Sequence, residues 1–114
     1  MPVVYKVTNI ITQEIYIGIT KKKISERKRD HVWEAFRRNL NDKFHAALRE
    51  FGLKNFEWEI IFTHPSYKKC AQAENQYIEK FQAIEYGYNI HYRMDKNAIK
   101  RINKNNYRNN FKSR

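Results

Sequence analysis

The stretch VVYKVTNIITQEIYIGIT, residues 3–20, constrains the fold more than any other part of the chain. Val3, Tyr5 and Val7 recur at every second position, and so do Ile15, Ile17 and Ile19. A period of two places alternate side chains on one face of a strand, so two strands are predicted. The few residues around Asn9–Thr12 between them suit a short hairpin connection. If Thr8 pairs with Gln13, Tyr5 lies directly opposite Tyr16 and Val3 opposite Gly18. A slip of one residue would send the two tyrosines to opposite faces. Paired aromatics stabilise a sheet by themselves, so a structural role competes with a chemical one. Gly18 marks either a bulge or the close approach of a ligand or another backbone.

Downstream the pattern changes. Residues 25–39 read as a helix with Ser25 as N-cap, Val32, Phe36 and Leu40 as its core edge, and Arg27, His31, Glu34 and Arg38 on another face. A second helix over 42–51 has Phe44, Ala47, Leu48 and Phe51 at helical spacing, with Gly52 where a helix-ending glycine belongs. Residues 56–62 alternate as a third strand, and a third helix runs from Ser66 to about residue 81, before Gly87 breaks the chain. The order β-β-α-α-β-α predicts an α/β domain: a small three-stranded sheet, antiparallel or mixed, flanked by helices. Residues 1–92 are expected to form this domain. Residues 93–114 are rich in Asn, Lys and Arg and are expected to be a basic tail, either a DNA-contacting helix or a linker.

Charge separates the same two parts. The chain has 23 Lys and Arg against 12 Asp and Glu, a formal +11. Residues 1–92 hold 15 basic and 11 acidic residues, whereas 93–114 hold 8 and 1. Such a balance favours a polyanionic partner, nucleic acid above all, over a merely solvated basic tail. Apolar residues make up 41%, enough for a core. No run approaches the ~20 apolar residues that span a bilayer. The start, Met1-Pro2-Val3, carries no signal segment, and the single Cys70 excludes an internal disulfide framework, so a cytoplasmic location is expected. His45 and His64 lack metal-ligand spacing with Cys70, and His91 is assigned to the surface.

One residue stands out of place. The inward stripe of the third helix reads Cys70, Ala73, Glu74, Tyr77, Ile78, Phe81. A carboxylate inside it must be ion-paired, protonated or metal-bound. Arg27 and Lys6 are the candidate ion-pair partners.

Taken together, these residues resemble the GIY-YIG nuclease family. Its second tripeptide is intact as Tyr16-Ile17-Gly18, and its first survives as the tyrosine of Val3-Val4-Tyr5. Arg27 and His31 stand as Arg-x-x-x-His, Glu74 in AENQYI supplies the acidic residue and Asn89 in GYNI the closing asparagine. The resemblance covers residues 1–92. It implies a metal-dependent endonuclease that cuts DNA, of phage or mobile-element type, with Tyr5, Tyr16, Arg27, His31, Glu74 and Asn89 as catalytic residues. It also implies that Glu74 holds the divalent cation, Mg²⁺ or Mn²⁺, which needs few protein ligands because it keeps several waters. Arg27 would fork onto the scissile phosphate. Tyr5 would take the proton of the attacking water, with His31 relaying it onward, and Tyr16 would orient that water or the phosphate. Gly18, Lys21, Lys22, Lys23 and Arg38, with Lys100, Arg101, Lys104 and Arg108 of the tail, are the candidate DNA contacts. Val3, in place of the family glycine, is expected to narrow access. The competing functions are a non-cleaving DNA-binding module and a structure-specific repair or junction nuclease of the same fold. The oligomeric state is left open.

Overall fold

Residues 1–93 are described by the structure, a computed structural model. Three strands form the sheet: β1, Val3–Asn9; β2, Ile15–Thr20; and β3, Phe56–Thr63. Three α-helices accompany it among the described residues, α1, Ile24–Phe36; α2, Lys43–Phe51; and α3, Tyr67–Lys80, with a single 3-10 turn at Leu53–Asn55 leading into β3. The sheet order is β2-β1-β3 with both pairings antiparallel, so the β-β-α-α-β-α expectation holds. Among the described residues no helix is long and apolar enough to cross a membrane.

The hairpin register differs from expectation. Tyr5 pairs with Gly18, Val7 with Tyr16, and Val3 with Thr20. The cause is a longer connection. The Asn9 side-chain oxygen accepts from the amides of Ile11 and Thr12, and Gln13 takes a left-handed conformation at φ 68° before the Asn9 amide bonds to the Glu14 carbonyl. The shift is by two residues, so the faces are preserved. Tyr5 and Tyr16 remain on one side as diagonal neighbours, ring centroids 6.2 Å apart. Val3 is therefore not opposite Gly18, and its expected effect on access is withdrawn.

The helices cover both sheet faces. On one, Val4, Ile17 and Ile19 pack against Cys70, Ala71, Ala73 and Ile78 of α3. On the other, Tyr5 and Val7 pack against Ala35 of α1 and Phe44, Ala47 and Leu48 of α2. Helix α1 is turned relative to expectation: its buried residues are His31 and Ala35, while Phe36 is 47% exposed. Its N-cap is Lys23 rather than Ser25, and the Lys23 amide donates to the Glu26 carboxylate. Asp42 caps α2 and Ser66 caps α3, each accepting from the amide three residues on.

The chain after α3 returns to the outer edge of β2. Gly87 lies so close to the Ile15 carbonyl that a Cβ would sit 2.4 Å from its oxygen, and the Tyr88 amide donates to that same carbonyl. Asn89 then takes the place of a strand residue. Its side-chain oxygen accepts from the Ile17 amide and its side-chain nitrogen donates to the Ile17 carbonyl, both at 2.8 Å. An open sheet edge is thus closed by one buried amide beside Tyr16.

Candidate active site

Tyr5 sits where β1 and β3 slip register, between Val4 and Tyr5. Irregularities of this kind re-aim a side chain. Here the ring lies across the backbone of Gly18, where an added Cβ would stand 2.3 Å from the Tyr5 Cζ. The close approach marked by Gly18 is therefore made by Tyr5. Gly18 is buried, and its place among the DNA contacts gives way to that of a seat for the phenol. Tyr16 stacks on Phe44 at 4.2 Å between centroids, with planes 4° apart.

A chain of hydrogen bonds starts at Tyr5, itself 1% exposed. Its hydroxyl lies 2.7 Å from His31 Nε2, His31 Nδ1 lies 3.0 Å from His45 Nε2, and His45 Nδ1 lies 2.6 Å from Asp42 Oδ1. An ionised carboxylate only accepts, so the proton beside Asp42 belongs to His45 Nδ1. With His45 neutral, its Nε2 accepts from His31 Nδ1, and His31 Nε2 accepts from the Tyr5 hydroxyl. Every member then points its proton away from Tyr5. Glu34 lies alongside, its Oε1 3.3 Å from His45 Nε2 and 3.4 Å from both His31 Nδ1 and Arg27 Nη1.

Glu74 lies on the other side of β2, 3% exposed as the apolar stripe requires. Its ion-pair partner is neither Arg27 nor Lys6. Arg93 reaches it with Nε 2.6 Å from Oε1 and Nη2 3.2 Å from Oε2. Asn75 holds the Arg93 backbone, accepting from its amide at 2.7 Å. A cavity of about 530 Å³ opens here, lined among others by Tyr16, Asp42, His45, Glu74, Asn89 and Arg93. His91, exposed as expected, also borders it.

Arg27 borders a second cavity of about 450 Å³ with Lys21, Lys22, Asp30 and Tyr67. Lys22 pairs with Asp30 at 2.8 Å, and Lys21 lies over the Tyr67 ring. Lys23 is exposed at the start of α1, and Arg38 lies over the Trp33 ring, away from both cavities. Lys100, Arg101, Lys104 and Arg108, like the proposed tail helix, lie outside the described residues.

Electrostatics tie these groups together. Burial pushes the Tyr5 phenol well above its ordinary value near 10, with Tyr16 adding to the rise and Arg27 opposing it. Burial and then the Glu74 charge push Tyr16 up to about 12, again against Arg27. Burial, then Arg27 and His45, hold His31 down to about 2. Both phenols thus lie within the fields of Arg27 and Glu74, and His31 stays neutral at physiological pH. Two donor sets suit metal ions. A hard ion that keeps most of its waters fits beside Glu74, because the carboxylate borders a cavity with room for a hydrated ion. His31, Glu34 and His45 form a separate convergent cluster.

Sequence reasoning missed three of these residues. Asp42 and His45 carry a signal, a capping Asp three residues before a His on the first turn of a helix. Arg93 carries none, since it falls where the composition turns basic.

The GIY-YIG catalytic domain family model matches residues 1–89. No curated protein matches the chain. The fold is similar to that of the catalytic domain of the intron endonuclease I-TevI, solved as a glutamate-to-alanine mutant, at a TM-score of 0.73 and 21% identity, covering 82% of this chain and 98% of that one. A second structure, of the catalytic domain of the homing endonuclease I-TevI, aligns at a TM-score of 0.69 and 20% identity over 80% and 99% of the two chains.

Proposed function

Because this chain belongs to the GIY-YIG catalytic domain family and is an endonuclease, we propose that it hydrolyses DNA phosphodiester bonds with a divalent cation held at Glu74. The observation that carries the reading is the place of Tyr16: it lines the cavity of Glu74, and its ring centroid lies 6.2 Å from that of Tyr5, whose hydroxyl meets His31 at 2.7 Å. When bound, the divalent ion supplies charge neutralisation at the phosphate and a hydrated, acidified water.

The chain's own residues do the rest. Arg27 forks onto the phosphate and stabilises the charge that develops there, a role in which one lost donor typically costs about 2.7–4 kcal/mol. Tyr16, which opens on the Glu74 cavity, orients the attacking water. Tyr5 accepts that water's proton as it releases its own to His31 Nε2. His31, held near neutrality by burial, cannot store a charge and releases its Nδ1 proton to His45 Nε2 in the same event. His45 in turn leans on Asp42, whose carboxylate stabilises the positive ring. A phenol, a poor base on its own, becomes usable because its proton has a prepared exit, and such general-base help is worth roughly 10²–10⁴-fold. Asn89 positions Tyr16 through the Ile17 backbone.

Supercoiled plasmid incubated with Mg²⁺ should be nicked or linearised, and a chelator should stop it. Glu74→Gln keeps shape and removes the charge, so cleavage should fall by at least 10²–10³-fold, the scale of a lost charge-stabilising group, while DNA binding persists. Full cleavage by Glu74→Gln, or by wild type in chelator, would overturn the metal role of Glu74. Binding without cleavage under every divalent ion would favour the non-cleaving module.

A further inference from the structure

The His31–Glu34–His45 cluster stands apart from the carboxylate assigned to the hard cation, and its geometry has its own logic. His31 Nδ1 and His45 Nε2 are 3.0 Å apart, and Glu34 Oε1 is 3.4 Å from the first and 3.3 Å from the second. These three atoms form a nearly equilateral triangle. Tetrahedral zinc sites have bonds of about 2.0–2.1 Å, which sets their ligands about 3.3–3.4 Å apart. A cation a little above the plane of this triangle would therefore reach all three atoms with little movement.

The outer contacts are also those of a metal site. Ligating imidazoles usually donate their second N–H to a carboxylate or another oxygen, which fixes ring and tautomer. The second nitrogen of His45 already meets Asp42 Oδ1 at 2.6 Å, and that of His31 meets the Tyr5 hydroxyl at 2.7 Å. Two imidazoles and a carboxylate are the donors of borderline ions such as Zn²⁺ and Co²⁺, whereas Mg²⁺ prefers oxygen and water. Access exists on the Glu34 side, whose side chain is 23% exposed, and a fourth position is left for water.

We propose that His31, Glu34 and His45 form an inhibitory binding site for a borderline transition-metal ion, zinc in the first place. Binding takes the lone pairs of His31 Nδ1 and His45 Nε2, so the single proton of the neutral His31 ring moves through solvent from Nδ1 to Nε2, with no net release. There it points at the Tyr5 oxygen. Tyr5 can no longer release a proton to His31, and the exit is closed. The inhibition rests on the relay proposed above; the binding does not.

The test uses the full chain without DNA. Co²⁺ titrated into the wild type should give the visible absorption of a tetrahedral nitrogen–oxygen site, saturating at one equivalent, and Zn²⁺ should displace it. His45→Gln and Glu34→Gln should lose the band while keeping wild-type circular dichroism, and Glu74→Gln should keep it. A band that survives His45→Gln, follows Glu74, or never forms overturns the site. In saturating Mg²⁺, one equivalent of Zn²⁺ should slow plasmid cleavage at least tenfold, and zinc removal should restore it. Zinc that binds without slowing cleavage overturns the inhibition, while the cobalt spectra still read the site even in a protein that does not cut.

Discussion

The two faces of the sheet hold chemically opposite halves of one site. Beneath α1 and α2 lies a dry half. There Tyr5, Phe44 and Leu48 are shielded from bulk solvent, the histidines are bonded to one another, and His31 is kept neutral by burial. Beside α3 lies an open half, where Glu74 and Arg93 meet as full charges at the wall of a cavity. Tyr16 stands between them, its ring stacked on Phe44 and its edge on the cavity. The contrast fits what the proposed mechanism asks of each half. Moving a proton requires donors and acceptors held at fixed distances in a low dielectric, which the aromatic packing provides. Receiving phosphate and a hydrated cation requires room, water and charge. A single wet pocket would give His31 and Tyr5 ordinary pKa values and loosen the proton exit, and a single dry one would exclude the substrate.

The strongest way to break the dry half without touching a titratable group is Gly18→Ala. The new methyl would start 2.3 Å from Tyr5 Cζ and 2.4 Å from its hydroxyl. That ring cannot simply swing aside, because it stacks on Trp58 and meets His31 edge-on. The phenol must therefore leave its place against His31 Nε2. Cleavage should fall by roughly 10²–10⁴-fold, the worth of the base itself, and unfolding should become easier by about 1–3 kcal/mol from overpacking. Plasmid cleavage and urea denaturation read the two effects separately. Unchanged cleavage would mean that the Tyr5–His31 contact is dispensable.

What the sequence made legible divides along the same line. The three strands, the three α-helices and their order could be read, because alternation and helical stripes are local signals. Glu74 was legible for the same reason, as a charge inside an apolar stripe. The hairpin register was not, since its extra residues are absorbed by Asn9 and by a left-handed Gln13 with no glycine to advertise the turn. The rotation of α1 was not legible either. Hydrophobicity favours burying Val32 and Phe36, but His31 gains Tyr5 and His45 as partners only if it turns inward, and that gain depends on strands and a helix elsewhere in the chain. Arg93 was hidden because a residue's partner across the fold leaves no trace in its neighbours.

Asn89→Ala probes the seam between the halves, with a smaller effect. It removes both bonds to Ile17 and leaves a buried amide and carbonyl of β2 without that partner. Orphaned buried groups cost about 1–3 kcal/mol each, less where water can enter. Stability should fall by about that amount in urea denaturation. Hydrogen exchange at the Ile17 amide should speed up more than exchange at the amides of β1. Uniform loss of protection across the sheet would instead place Asn89 in the general stability of the fold, not at this edge.

The smallest effect per step is a slope against pH, and it measures the dryness directly. His31 has a native pKa of about 2 against an ordinary value near 6.5, lowered first by burial and then by Arg27 and His45. Below pH 6.5 the unfolded chain takes up a proton at this ring that the native protein refuses. The unfolded state then binds more protons, so stability rises with pH and is lost as pH falls through that window. One such group contributes up to about 1.4 kcal/mol per pH unit. Phe44, Tyr16 and Trp58 pack around the ring and carry no charge to compensate it, while Glu34 at 3.4 Å is the acid paired with it among the described residues. His31→Gln retains a polar side chain near Tyr5 but cannot titrate. Urea denaturation from pH 7 to pH 4.5 should show wild type losing stability more steeply than this variant, by about that amount per unit once pH is below 6.5. Parallel profiles would mean that His31 takes up its proton in the folded state, assisted by Glu34, and that the half of the site beneath α1 is wet.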